Sequence, residues 1–230
     1  MDVDNDAARG TPSLFDQTAA DFTARVDKQI HAGRYRRGDL FMAAVRSCVS
    51  SQGYVLDYGC GPGRISALLA RQGFRVLGLD PSPGMISGAR QQLLDSLQAE
   101  FRVCESGSLE DQKEAFDGIV CSSVIEYEPQ PAELLRRFSA ALRPSGALIL
   151  SFANSSSLSR ALFQRRNLHL RAQVHTWSGK EFSQLLEQAG FKPNRKAVYF
   201  ESFFDRLAPL SVLSASQFIG ALGLVVAVKQ

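Results

Sequence analysis

The chain has 230 residues, 45% of them hydrophobic, with 26 lysines and arginines against 23 aspartates and glutamates. That length suits one globular domain, and a net charge of +3 with only short basic clusters speaks against a nucleic-acid-binding surface. The four cysteines are scattered, which excludes a disulfide framework and a zinc-type spacing and predicts a cytoplasmic protein without a metal site, and no apolar run reaches membrane-spanning length.

Residues 1–12 are polar and acid-rich and read as a disordered tail ahead of a single domain, 13–230. From Ser13, apolar residues at helical spacing (Leu14, Phe15, Ala19, Phe22, Val26, Ile30) predict a first helix. Gly33 and Gly38 bracket a basic cluster, and Leu40 to Val49 reads as the helix leading to the first strand. Val55-Leu56-Asp57 then runs through Tyr58-Gly59-Cys60-Gly61-Pro62-Gly63 into Arg64-Ile65-Ser66. That is a buried strand, a tight loop and a helix start. A side chain on Gly59, Gly61 or Gly63 would block a ligand lying against the backbone, and the helix after them offers free N–H groups and a positive dipole end.

Phe74 to Asp80 is a second strand ending in an acid, 17 positions beyond Gly63. An acidic residue near that offset meets a ribose in nucleotide-binding βαβ units, where a carboxylate can accept from both hydroxyls. Pro81-Ser82-Pro83-Gly84 turns into a helix from Met85 to about Leu97. Phe101 to Cys104 is a short third strand, and Phe116 to Cys121 a fourth that releases the chain at Ser122. Pro131 opens a helix, Arg143-Pro144-Ser145-Gly146 reads as a turn, and Ala147 to Phe152 is a strand buried on both faces. Ser178 with Glu181 forms a capping box for a helix ended by Gly190. Ala197 to Phe200 and Leu222 to Val228 are the last two strands, a hairpin-like pair that makes one strand antiparallel. Alternating strands and helices predict an α/β fold, with helices on both faces of a seven-stranded, mostly parallel sheet with one antiparallel strand. Ligands then belong at the C-terminal ends of the strands.

Four stretches in order, Val55 to Gly63, Asp80, Phe116 to Tyr127 and Leu142 to Leu150, resemble the class I S-adenosylmethionine-dependent methyltransferases, a Rossmann-like family. Their flavour is similar to the small-molecule branch that includes ubiquinone-biosynthesis O-methyltransferases. The resemblance implies S-adenosyl-L-methionine as cofactor, S-adenosyl-L-homocysteine as product and a small, apolar-bodied acceptor, with O-methylation favoured. It implies that helices within 13–50 cover the cofactor and that 154–176 is an acceptor-side insertion. Arg37, or Arg36 as runner-up, would pair with the methionine carboxylate. Asp57, Gly59, Gly61 and Gly63 would form the cradle, and Asp80 would hold the ribose. Pro81 and Met85 would flank the adenine and ribose, with core packing as the other role for Met85. Ser108 and Leu109 would read the adenine, with Glu105 as the alternative alignment. Cys121 and Ser122 would lie beside the methionine arm.

For proton removal the residues to weigh are Tyr127, standing where many relatives carry histidine, and His169 and His175 in the insertion. Tyrosine is a poor base at neutral pH, and either histidine has an ordinary loop role as its alternative. The apolar stretch Phe203 to Leu213 lies within 200–215, which reads equally as a helix packed on the sheet or as an apolar acceptor pocket or peripheral lipid or protein contact. Two other functions remain open: a nicotinamide-dependent oxidoreductase sharing the βαβ start, and a non-catalytic module that keeps the nucleoside site.

Overall fold

The computed structural model describes residues 21, 23, 24, 27, 28, 36–91, 98–104, 109, 111–164, 173–193, 197–200, 217, 218 and 220–230. The tail 1–12, Ser108, His169 and the stretch 201–215 therefore lie outside the described residues.

The first helix with described bounds, α1 (Arg36–Cys48), starts four residues before the expected Leu40. Gly38 sits inside it and is buried. Its helix penalty of about 1 kcal/mol is outweighed by the burial of Phe41, Val45 and Val49 against the sheet. Then come β1 (Tyr54–Tyr58), α2 (Arg64–Arg71), β2 (Arg75–Asp80), α3 (Pro83–Gln91) and β3 (Ala99–Val103). α3 opens on proline, whose missing N–H costs nothing at a helix start. β4 (Phe116–Cys121) leads through a single 3-10 turn, Ile125–Tyr127, to α4 (Pro131–Ala141). β5 (Leu142–Ala153), α5 (Leu158–Gln164), α6 (Gly179–Gln188), β6 (Phe191–Pro193), β7 (Val198–Phe200) and β8 (Leu222–Lys229) complete the order.

The strands lie in the order β3-β2-β1-β4-β5-β8-β6, with β7 also on β8. β1 pairs in parallel with both β2 and β4, through Leu56 opposite Leu77 and Ile119. β8 runs antiparallel to β5, β6 and β7, so among the described strands it alone is reversed. The sheet has eight strands where seven were expected. The seventh place, at the edge, is shared by two short strands: β6 pairs with the end of β8 and β7 with its start. Pro193, which cannot donate to a ladder, closes β6 on this edge.

Alternate residues of each strand serve opposite faces. Leu56, Leu77, Ile119 and Leu148 pack with Phe138, Phe182 and Leu186 of α4 and α6. Val55, Val76, Val120 and Ile149 pack with Phe41, Val45 and Leu69 of α1 and α2. The capping box at Ser178 is present, with Glu181 N–H donating to Ser178 Oγ and Ser178 N–H to the Glu181 carboxylate.

Residues 143–146 depart from expectation. They belong to β5, not to a turn before it, and form a bulge: Phe116 faces Leu142 and Gly118 faces Ala147. Ser145 takes a left-handed φ of 62° there. Asp117 fastens the bulge, accepting from Arg143 at 2.6 Å and from the backbone N–H of Tyr54 at 2.7 Å. Among the described residues, no helix is long and apolar enough to cross a membrane.

Candidate active site

The strand order reverses between β1 and β4, each of which starts a series running outward. At such a point the loops after the strands diverge and leave a crevice. The loop after β1 and the loop after β4 line it.

Gly59, Gly61 and Gly63 all have left-handed φ, at 71°, 53° and 74°. They serve different purposes. A Cβ on Gly59 would lie 2.1 Å from Val124 Cγ2, so this glycine lets the loop after β4 close on the loop after β1. A Cβ on Gly63 would lie 2.8 Å from the Phe101 ring and 2.9 Å from Ala89, so this one lets α2 approach α3 and β3. A Cβ on Gly61 would meet nothing within 4 Å. Bare backbone facing open space is therefore found at Gly61 alone of the three, which corrects the expectation that each glycine clears room for a ligand. Gly63 is also the N-cap of α2 and gives the helix no side-chain cap.

Asp80 ends β2 beside this opening and is 8% exposed. Its Oδ2 accepts from the Gly61 N–H at 2.8 Å and its Oδ1 from the Ser82 N–H at 2.9 Å. Burial raises its carboxyl above the ordinary range, and the two backbone bonds oppose that rise. Each oxygen keeps a further lone pair. Pro81 is exposed next to it. Met85 is buried at 3% exposure, with its N–H donating to Ser82 Oγ at 3.2 Å.

Asp57 is turned into the protein. It is 1% exposed and accepts from Ser66 Oγ, in the first turn of α2, at 2.6 Å. Burial pushes its carboxyl up to about 6 despite that bond. A carboxyl held above its unfolded value favours the folded state less once ionised: the cost is absent below about pH 4 and complete above about pH 6. Asp57→Asn keeps an acceptor for Ser66 and removes the ionisation. Urea unfolding is expected to find it more stable than wild type by up to about 3 kcal/mol at pH 8, with no gain at pH 4.

Leu109 is buried in the apolar core on the α4 face. Cys121 is fully buried in the same layer, where burial drives its thiol well above the usual range. Cys60, beside Gly61, is raised in the same way. Neither is disposed to act as a nucleophile.

Beyond β4 the chain makes a left-handed turn at Ser123, φ 56°, whose N–H donates to Ser151 Oγ at 2.9 Å. The 3-10 turn that follows carries Glu126, fully buried, and Tyr127. Gln173 Nε2 donates to Glu126 Oε1 at 3.2 Å and to the Tyr127 hydroxyl at 3.3 Å. The N–H groups of Val174 and His175 donate to the Glu126 carbonyl at 2.9 and 3.1 Å. His175 stacks on Trp177 with centroids 5.5 Å apart. Burial first, and then the Glu126 charge, raise the Tyr127 phenol, while Gln173, Arg37 and Arg160 pull it down.

Two groups of expected residues are thus brought together: Gly61 with Asp80 on the β1–β2 side, and Tyr127 with His175 and the Arg37 charge on the β4–β5 side. Val124 against Gly59 joins the two. Arg37 lies in the first turn of α1 rather than ahead of it, half-buried; the Arg36 side chain lies outside the described residues. Glu126, Gln173 and Arg160 escaped the sequence reading. Glu126 stood beside the more conspicuous Tyr127, while Gln173 and Arg160 sit in a stretch with no regular period to single them out. A cavity of about 360 Å³ lined by Gln52, Ala70, Gly73, Arg75 and Gln98 lies at the opposite, N-terminal ends of β1–β3.

The curated relatives include a ubiquinone biosynthesis O-methyltransferase of Xanthomonas campestris pv. campestris (strain B100), 36% identical over 110 residues. The match takes in 47% of this chain and 46% of that protein, so it spans about half the length of the relative. Among solved structures, magnesium protoporphyrin IX methyltransferase from Synechocystis PCC 6803 with bound SAH superposes with a TM-score of 0.70. It covers 95% of this chain and 97% of its own at 20% identity. A methyltransferase from a Haloferax volcanii complex with the Trm112 methyltransferase activator gives 0.69 at 21% identity, over 94% and 97% of the two chains. At such identities these structures share the fold. The methyltransferase domain family matches residues 30–195, a span from α1 through β6 that holds both halves of the crevice, and the chain belongs to that family.

Proposed function

We propose that the protein transfers a methyl group from S-adenosyl-L-methionine to a small, apolar-bodied acceptor, with an oxygen as the favoured methyl-accepting atom. The observation that carries this reading is the open space over the Gly61 backbone beside the Asp80 carboxylate. A nucleoside fits that chemistry: its ribose hydroxyls donate to the remaining lone pairs of Asp80, and its chain lies along bare peptide at the uncapped start of α2. Arg37 is suited to the methionine carboxylate, since its charge reaches Tyr127 at the crevice. Ser122 Oγ, buried and without a hydrogen-bond partner among the described residues, is available to the same arm. Pro81 and Met85 flank the ribose side. Leu109, with Ser108 beside it in sequence, belongs on the adenine side.

When bound, the sulfonium supplies an electrophilic methyl group. The protein's work is then to hold the acceptor atom in line at about 3 Å and to keep water out. Tyr127, with its phenol raised, is a poor base and serves better as a hydrogen-bonding ring. His175 presents a buried Nε2 with no hydrogen-bond partner among the described residues, a place for a proton from the acceptor; His169 is the second candidate. We include in this reading the covering role of helices within 13–50, supported by the ion pair of Asp27 with Arg64 at the start of α2. The acceptor role of 154–176 is supported by the bonds of Gln173 and His175 to Glu126. A cytoplasmic setting is supported by the four free thiols.

Isothermal titration with S-adenosyl-L-homocysteine, followed by transfer of labelled methyl to a panel of catechols, tests the proposal. Failure to bind at roughly millimolar ligand would remove it. Binding without transfer to any acceptor would point to a non-catalytic nucleoside-binding module.

A further inference from the structure

Buried polar atoms without partners are rare, and each calls for a reason. Apart from Arg64 Nε, those among the described residues concentrate on the β4–β5 side of the crevice. Ser122 Oγ, Ser123 Oγ, Arg160 Nη1, Arg160 Nη2, Gln173 Oε1 and His175 Nε2 are buried with no hydrogen-bond partner among the described residues. Gln173 is fixed by its donations to Glu126 and Tyr127, and His175 by its backbone bond to Glu126. Arg160, on α5, is 4% exposed. The chain leading to α5 is held to this region by Ser155 N–H on the Trp177 carbonyl and Leu158 N–H on the Phe218 carbonyl, both at 3.0 Å.

A structural buried arginine uses its donors on protein carbonyls and carboxylates. Here both terminal nitrogens are unmet, an arrangement unfavourable for a charge out of water. The Arg160 charge acts on both Glu126 and Tyr127, which puts the guanidinium on this side of the crevice. Two parallel N–H donors on one guanidinium match the two oxygens of a carboxylate. Gln173 Oε1 is an acceptor that needs a donor, such as a hydroxyl.

We infer that Arg160 anchors a carboxylate on the methyl acceptor through Nη1 and Nη2, with Gln173 Oε1 taking a neighbouring hydroxyl, so that the acceptor is an apolar-bodied hydroxy acid. The word acceptor here rests on the transferase reading above; the acid site itself does not.

Matched probes read the site directly: benzoate against benzyl alcohol, and salicylate against salicyl alcohol, titrated into the protein with and without S-adenosyl-L-homocysteine. Each acid is expected to bind about tenfold tighter than its neutral partner, and Arg160→Gln to abolish the difference while homocysteine-nucleoside affinity stays within about twofold. Pairs that bind alike or not at all, or a preference that survives Arg160→Gln, overturn the assignment. Arg160→Met guards against a merely structural effect: removing an unmet buried charge is expected to raise the ligand-free Tm by about 2–4 °C, whereas a fall would make Arg160 a structural residue and end the proposal. If the nucleoside fails to bind while the acid preference stands, the transferase reading falls and the acid site remains.

Discussion

Asp80→Ala is expected to weaken S-adenosyl-L-homocysteine binding about 100-fold or more, the loss of about 3 kcal/mol that two hydrogen bonds to a charged acceptor supply. The carboxylate ends β2 next to the Gly61 opening, with one lone pair of each oxygen already taken by backbone N–H groups of Gly61 and Ser82. Truncation therefore has two effects. It removes the acceptor for the ribose, and it leaves those two N–H groups without their partner, at a further cost of about 1–3 kcal/mol in stability. Asp80→Asn separates them. Its amide keeps the side-chain shape and one accepting oxygen, so stability holds better while binding still falls by about tenfold. Titration calorimetry and urea unfolding on both variants give the comparison. A folded Asp80→Ala protein with wild-type affinity would put the nucleoside elsewhere.

Much of this was legible in the chain because it is written in local patterns. Val55 with Leu56, Val76 with Leu77 and Ile119 with Val120 place one residue on each face of a strand buried on both sides, and such strands imply helices to cover them. Asp80 was legible for the same reason: an acid at the end of an apolar run is a local signal. The capping box at Ser178 needs only its own neighbours. What escaped depends on contacts distant in sequence. Pro144-Ser145-Gly146 has turn composition, and only pairing with β4 makes it a bulge inside β5. Phe191-Lys192-Pro193 is too short to announce a strand and exists because β8 offers an edge. Gly38 looked like a helix boundary until Phe41 and Val45 were buried beside it. Gly59, Gly61 and Gly63 were indistinguishable, since Val124 and Phe101, which tell them apart, lie on other strands and loops. Arg160 carried no signal, because its meaning lies in terminal nitrogens that meet no partner among the described residues.

Gly59→Ala and Gly61→Ala are expected to fail in opposite ways. At Gly59 a methyl group would stand 2.1 Å from Val124 Cγ2 at a φ of 71°. The left-handed conformation costs about 1–2 kcal/mol and the overpacking about 1–3 more, so Tm should fall by about 8 °C. Val124 must yield, and it precedes the turn that carries Glu126 and Tyr127, so the damage passes to the acceptor side of the crevice. At Gly61 the same methyl meets nothing within 4 Å. Only the left-handed cost applies, about 1 kcal/mol and about 3 °C. Yet the methyl fills the space in which the nucleoside would lie against bare peptide, so S-adenosyl-L-homocysteine affinity should drop about tenfold or more. Two glycines two residues apart thereby divide the work of the loop, one holding the β4 turn against it and the other keeping a surface clear. Wild-type affinity in Gly61→Ala would mean that the clear surface is not where the ligand rests, whatever the thermal scan of Gly59→Ala shows.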